Sequence, residues 1–303
     1  MRNVFAETLY EEARKDPRIF IVVADISPAG SMSEFRREFP ERFINVGVAE
    51  QSMIGICAGL ALRGCRPFAY TIATFSLYRP FEIIRDDLCY QNLPVTVVGI
   101  GGGVVYSTLG GTHHAQEDVA VSTAIPNMSV LAPCDPPEVA AATRFCARES
   151  KGPVYLRLGK AGEPTLTADA PEAWEFGRLR YVRRGRDVCI ISYGLMVARA
   201  VAIADRLRAK GRSVSVVSAH TLKPLNADDV TEILETHRSV VVLEEHSPYG
   251  GLAPRIKEIA WDHRATCSLQ SFTLQDAFIH CYGSHDELLA AHGLDVERIA
   301  ASI

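Results

Sequence analysis

The chain has 303 residues, 48% hydrophobic and 22% charged, which is the balance of a globular protein with room for two ordinary domains rather than of a disordered one. A net charge of −4 gives no basic footprint for nucleic acid. The longest apolar runs, such as Val95–Ile100 and Ser239–Leu243, are strand-sized and too short to span a bilayer. No cationic stretch followed by an apolar run opens the chain, so no secretory signal is expected and a cytoplasmic location is the default. The eight cysteines are scattered without a Cys-x-x-Cys pair and read as reduced, mostly buried small hydrophobes.

Apolar periodicity predicts an alternation of helices and strands. Val4, Phe5, Thr8, Leu9 and Ala13 mark a first helix, and the apolar run Ile19–Ala24 a strand ending at Asp25. A short helix over Met32–Phe39 stops at Pro40, followed by a brief strand, Phe43–Val46, and a helix, Glu50–Leu62, rich in small residues. Next come a strand at Pro67–Ile72, a helix at Pro80–Tyr90 and a strand at Val95–Ile100. After a glycine-rich loop, Gly99–Thr112, the pattern gives a helix near Glu117–Thr123 and a strand at Ser129–Ala132. The helix Pro136–Ala147 and the strand Val154–Leu158 close this half.

Gly, Pro and polar residues over Gly159–Gly185 interrupt the rhythm. A second alternation follows: strand Val188–Ser192, helix Leu195–Lys210, strand Ser213–Val217, helix Ala227–His237 and strand Ser239–Glu244. A helix at Leu252–Ala260, a strand at Cys267–Phe272 and a terminal helical segment complete it. Strands apolar on both faces argue for parallel sheets covered by helices. The expected fold is therefore α/β, two doubly wound domains at 1–165 and 186–303 joined by a linker at 166–185.

Ligands of open parallel sheets bind at the carboxyl ends of strands, and three segments fall there. They are Asn45-Val-Gly-Val-Ala-Glu50-Gln51, Ala73-Thr-Phe75-Ser-Leu-Tyr78-Arg79 and the loop from Gly101 through Leu109 to His113 and His114. Each alone has an ordinary structural reading. A glutamate in a first helical turn is favoured by the macrodipole, aromatic residues fill cores, and two histidines without further ligands at suitable spacing do not make a metal site.

Together these segments carry a resemblance. Arg42-Phe-Ile-Asn-Val-Gly-Val-Ala-Glu-Gln51 and Gly55-Ile-Cys-Ala-Gly-Leu-Ala-Leu-Arg-Gly64 resemble the pyrimidine-binding domain of transketolases and deoxyxylulose-phosphate synthases. Gly110-Gly-Thr-His-His-Ala-Gln-Glu-Asp-Val-Ala120 is similar to their Gly-Pro-Thr-His loop. Ile125-Pro-Asn-Met-Ser-Val130, Ala132-Pro-Cys-Asp135 and Gly152-Pro-Val-Tyr-Leu-Arg157 follow in the family's order, and the second half resembles its C-terminal domain.

The resemblance implies thiamine diphosphate as cofactor and two-carbon ketol transfer between sugar-like, phosphorylated substrates. Glu50 matches the glutamate that bonds the aminopyrimidine, work for which an apolar pocket suits a carboxyl because desolvation favours its protonated form. Phe75 aligns with the stacking aromatic, with Tyr78 in reserve, and Asp25 stands where related sequences carry aspartate. His113 matches the loop histidine near the substrate carbonyl, while His114 is assigned to local structure. Arg157 and Lys160 stand where the family carries cations that meet sugar phosphates, although a solvated strand end is an equal reading. His220 and His246 are expected to be structural.

Two departures matter. The family's Asp-Gly-Pro-Thr-His reads Leu109-Gly-Gly-Thr-His113 here, so Leu109 removes an acceptor for a substrate hydroxyl. The Gly-Asp-Gly…Asn motif that holds Mg²⁺ and the diphosphate is absent from the sequence, and no metal ligands are expected in this chain. An N-terminal-type transketolase subunit carrying the diphosphate-binding domain is the implied partner, in an α2β2 heterotetramer with the site at the interface. Rival readings are the β subunit of a 2-oxoacid dehydrogenase and a non-catalytic module sharing the fold.

Overall fold

A computed structural model of the chain describes residues 1–26, 32–170 and 172–303. Five-residue apolar runs build the centre of each sheet because β-branched side chains pack well when both faces are covered. In the first half, β1 (Ile19–Val23), β2 (Phe43–Asn45), β3 (Arg66–Ile72), β4 (Thr96–Ile100), β5 (Ser129–Leu131) and β6 (Val154–Leu158) run parallel in the order β5-β6-β4-β3-β1-β2. Their helices are α1 (Arg2–Ala13), α2 (Met32–Glu38), α3 (Glu50–Leu62), α4 (Ala73–Leu77), α5 (Phe81–Ile83), α6 (Asp118–Ala124) and α7 (Pro136–Arg148).

Register aligns the strand ends. Val23 lies opposite both Asn45 and Tyr70, and Ile100 opposite both Ile72 and Leu158. The loops after β1, β2, β3, β4 and β6 therefore open on one edge, where the three sequence segments converge. Helix α3 buries Met53, Ile54, Cys57, Ala58 and Ala61 against the core. Burying a Met or Ile side chain fully stabilises by about 1.5–3 kcal/mol, and this anchors the helix whose first residue is Glu50. The outer face of α3 is open, with no neighbour within 4 Å of where a Cβ would stand at Gly55 or Gly59.

The second sheet comprises β7 (Arg180–Arg183), β8 (Val188–Ser192) and β9 (Val214–Ser218), together with β11 (Ser239–Leu243) and β12 (Ser268–Phe272). Its order is β12-β11-β8-β9-β7, parallel except for β7. Helices α8 (Met196–Ala209), α9 (Ala227–Thr236), α10 (Leu252–Asp262), α11 (His285–Ala291) and α12 (Val296–Ser302) cover it.

Several elements differ from expectation. The short strand β7 lies inside the stretch read as linker, of which residue 171 falls outside the described residues. A three-residue strand from the second half, β10 (Thr221–Lys223), crosses over and joins the first sheet antiparallel to β5. Lys223 fixes it there, its Nζ donating to the carbonyls of Thr123 (2.8 Å) and Ile125 (2.6 Å). The helix expected from Pro80 to Tyr90 is instead α5 followed by a π-helical stretch, Ile84–Tyr90, that turns Ile84, Leu88 and Cys89 inward. All eight cysteines are free, and among the described residues no helix is long and apolar enough to cross a membrane.

Candidate active site

Glu50 opens α3 directly after a turn at Gly47, whose φ of +70° suits a residue without a Cβ. The Asn45 side chain shapes that turn, accepting from the Gly47 N–H at 3.0 Å and from the Asp25 N–H at 3.3 Å. Asp25 thus stands exposed at the neighbouring strand end, tied to the site through Asn45. The Glu50 side chain is buried, whereas Val48, two residues earlier, is 71% exposed.

Glu50 does not sit in a purely apolar pocket. Arg79 Nη1 donates to Glu50 Oε1 at 2.8 Å, and the same guanidinium lies 4.4 Å from the centre of the Phe75 ring. Because β3 runs directly into α4, Phe75 and Arg79 are both delivered to the strand edge beside α3. Phe75 in turn meets the His113 imidazole edge-on at 5.2 Å. His113 is presented by a turn in which its N–H bonds the Gly110 carbonyl at 2.9 Å, and its Nδ1 lies 3.0 Å from Thr112 Oγ1. Tyr106 approaches His113 at 6.2 Å, and the exposed Lys160 places its ammonium 5.2 Å from the Tyr106 ring. One edge therefore carries Glu50, Arg79, Phe75, His113, Tyr106 and Lys160 in contact order.

Other predicted residues are used elsewhere. Tyr78 is committed to Glu117: its hydroxyl donates to Oε2 at 2.9 Å and accepts from the backbone N–H at 3.3 Å. Burial and the nearby Asp118 and Glu117 carboxylates push its phenol well above the ordinary range. Leu109 is exposed on the loop, its N–H bonded to the Tyr106 carbonyl at 2.9 Å. Arg157, near the end of β6, is buried, and its Nε donates to Asp118 Oδ2 at 2.8 Å. Burial alone would disfavour the Arg157 charge, but the Asp118 carboxylate outweighs it. His114 is buried behind the loop, where desolvation pushes its imidazole down. His246 accepts the Ala120 N–H at 3.1 Å, and His220 is buried, its imidazole pushed down to about 3.

Two residues of the cluster carry no role in the sequence reading. Arg79 ends one of the three strand-end segments, and Tyr106 lies in the glycine-rich loop. The signal for Tyr106 is Gly101, whose positive φ and lack of a Cβ leave room for that ring.

Among the described residues, metal-ligand spacing occurs at Cys134, Asp135 and Glu138, none of which belongs to this cluster. Asp135 is already engaged, capping α7 through the Glu138 N–H at 3.0 Å and accepting the Leu166 and Thr167 N–H groups at 2.8 and 2.7 Å. Two clefts among the described residues touch this cluster at most through Lys160. One of about 800 Å³ is lined by Lys160, Leu195, Arg199 and His285, and one of about 740 Å³ by Ala120, Lys223 and Leu252. Glu50, Phe75 and His113 line neither.

Residues 1–162 match the family model of the transketolase pyrimidine-binding domain, and residues 177–299 that of the transketolase C-terminal domain. The chain belongs to the transketolase family. It is 31% identical to one subunit of the apulose-4-phosphate transketolase of Phocaeicola vulgatus, the match covering 98% of this chain and 94% of that one. It is 35% identical to the 1-deoxy-D-xylulose-5-phosphate synthase of Oleidesulfovibrio alaskensis over 99% of this chain but only 47% of that protein. Among solved structures, a split-gene transketolase described as an inactive β4 tetramer superposes with a TM-score of 0.89 at 34% identity, covering 99% of this chain and 96% of that one. The architecture is thus that of a transketolase subunit with two α/β domains.

Proposed function

We propose that this chain is the small subunit of a two-chain, thiamine-diphosphate-dependent transketolase, α2β2 in assembly, that moves a two-carbon ketol unit between phosphorylated sugars. The observation that carries the reading is Glu50, a buried carboxyl group at a strand end whose partner Arg79 also lies over the Phe75 ring. Relatives add support: the chain matches nearly the whole of the apulose-4-phosphate transketolase subunit but less than half of a one-chain synthase. The β4 neighbour, described as inactive, accords with a small subunit that needs its partner.

The residues present fit the aminopyrimidine end of the cofactor. A flat group bearing N–H donors, the Arg79 guanidinium, is already accommodated between Phe75 and Glu50. The sequence has no Gly-Asp-Gly, so the diphosphate and Mg²⁺ fall to the partner. When bound, the cofactor supplies a nucleophilic carbon that accepts and releases the ketol unit. Glu50 would hold a proton at the pyrimidine N1′, a role suited to a buried carboxyl. Phe75 would fix the ring plane by stacking. His113, backed by Tyr106, would donate toward the substrate carbonyl oxygen as charge develops there. Lys160, exposed on the same edge, is the cation available to a sugar phosphate. Exposed Val48 and Leu109 and the unfilled face of α3 supply apolar surface for the partner to cover.

The test is calorimetric titration of thiamine diphosphate with Mg²⁺ into this chain, into a transketolase subunit carrying the diphosphate-binding domain, and into the pair. Tight binding by the pair alone, weakened by Glu50→Gln, is expected. Tight binding by this chain alone would sink the shared-site reading.

A further inference from the structure

Glu50 and Phe75 are both occupied in the free chain, and by one side chain. Arg79 Nη1 donates to Glu50 Oε1 at 2.8 Å while its guanidinium carbon lies 4.4 Å from the Phe75 ring centre. A guanidinium is a flat, delocalised cation edged with N–H donors. A ring face for stacking and a carboxyl group that shares a proton with N1′ are the two contacts that an aminopyrimidine would need here. His113 already takes another approach to Phe75, edge-on at 5.2 Å.

We propose that Arg79 is a self-occupying plug: in the unassembled chain its guanidinium takes the place of the cofactor's aminopyrimidine and must swing out before that ring can bind. The inference rests on the pyrimidine-site reading above. Arg79 is free to leave, because its side chain is 49% exposed and its one side-chain hydrogen bond among the described residues is to Glu50. With Arg79 half-exposed, its ion pair and its cation–π contact can both be exchanged for those of a ligand. The plug also has a use. Glu50, 5% exposed, would otherwise be a buried carboxylate without a partner whenever the cofactor is absent. A plug closed nine-tenths of the time would weaken apparent binding about tenfold, so that the lone subunit does not sequester cofactor.

The experiment uses the full chain without its partner, titrated by calorimetry with thiamine and with the hydroxymethyl-aminopyrimidine fragment of thiamine. Arg79→Ala should bind the fragment about tenfold more tightly than the unsubstituted chain. Arg79→Lys should fall between them, because an ammonium keeps the ion pair but has no flat face to stack. Circular dichroism and melting temperature establish that each variant is folded. Equal binding to the two chains, or no binding by folded Arg79→Ala and Arg79→Lys, overturns the plug. If Phe75→Ala still weakens cofactor binding by the assembled enzyme in that case, the pyrimidine-site reading stands without it. Fragment binding that ignores Phe75 in every background overturns both.

Discussion

Arg157 and Asp118 form a buried ion pair, Nε to Oδ2 at 2.8 Å, with 4% and 0% of their side chains exposed. It ties β6 to α6, and it belongs to a larger network. Tyr155 donates to the same Asp118 oxygen at 2.8 Å, and Arg157 Nη2 donates to the Glu245 carbonyl at 3.2 Å across the domain boundary. Removing one partner of a buried pair strands the other charge. Arg157→Met should therefore lower the unfolding free energy by about 3–5 kcal/mol, read by urea denaturation. The fraction that still assembles should show KM for a sugar phosphate within about twofold of the parent. An unchanged midpoint with a large rise in KM would restore the phosphate-contact role instead.

On the proposed reading, Glu50→Gln keeps the shape and hydrogen-bonding reach of the side chain but could not exchange a proton with a bound pyrimidine. In the assembled enzyme kcat should fall by about 10²–10⁴-fold at saturating cofactor, the range of one general acid–base group. Single-turnover and steady-state rates should drop together. A variant that loses only cofactor affinity and regains full kcat at high concentration would make Glu50 a binding residue and nothing more.

The contrast between Glu50 and Arg157 marks what the amino-acid order can reveal. Runs such as Ile19–Val23, Val154–Leu158 and Val188–Ser192 announce buried strands, and the ends of those in the first sheet mark the edge that carries Glu50, Phe75 and His113. The partners of those side chains are set by tertiary approach instead. Arg79 is 29 residues from Glu50, and Asp118 is 39 from Arg157, with no periodicity linking either pair. A strand-end arginine reads equally as a solvated cation, a phosphate ligand or half of a buried pair until the opposing loop is placed. The short strand β7 is bounded by Arg180 and Arg183, and β10, which ends at Lys223, lacks the apolar pair that marks the equally short β2 and β5. Their pairing depends on the sheet edge that receives them.

Leu109 stands half-exposed one residue before Gly110, whose φ of +76° turns the loop toward His113. An aspartate there would offer an acceptor to a substrate hydroxyl without disturbing the core. Leu109→Asp should leave stability within about 0.5 kcal/mol, as for other surface changes. It should also raise kcat/KM about tenfold for more hydroxylated sugar phosphates relative to less hydroxylated ones, the worth of one specific contact. A competition assay over a panel of sugar phosphates reads this directly. Unchanged selectivity would mean that the loop position does not face the sugar.

His285 and Glu245 join α11 to the loop after β4, with His285 Nε2 2.7 Å from Glu245 Oε1 and the Val104 N–H donating to the same oxygen at 2.6 Å. Burial alone would push the carboxyl up and the imidazole down. The His285 and Arg157 charges and the Val104 N–H reverse this for Glu245, holding it below the usual carboxylate range. Glu245 likewise holds His285 above the usual imidazole range, against the opposing Arg199 and alongside Asp286. The depressed carboxyl contributes stability above its unfolded value of about 4.3, lost as pH falls through the folded value. The raised imidazole contributes fully below its unfolded value of about 6.5, lost as pH rises through the folded one. The pair is therefore most stabilising between those limits. The loss of unfolding free energy in His285→Gln, measured by urea titration across a pH series, should peak near about pH 5–6 and shrink toward alkaline pH. A loss that instead grew above neutrality would mean that His285 is held neutral in the folded chain.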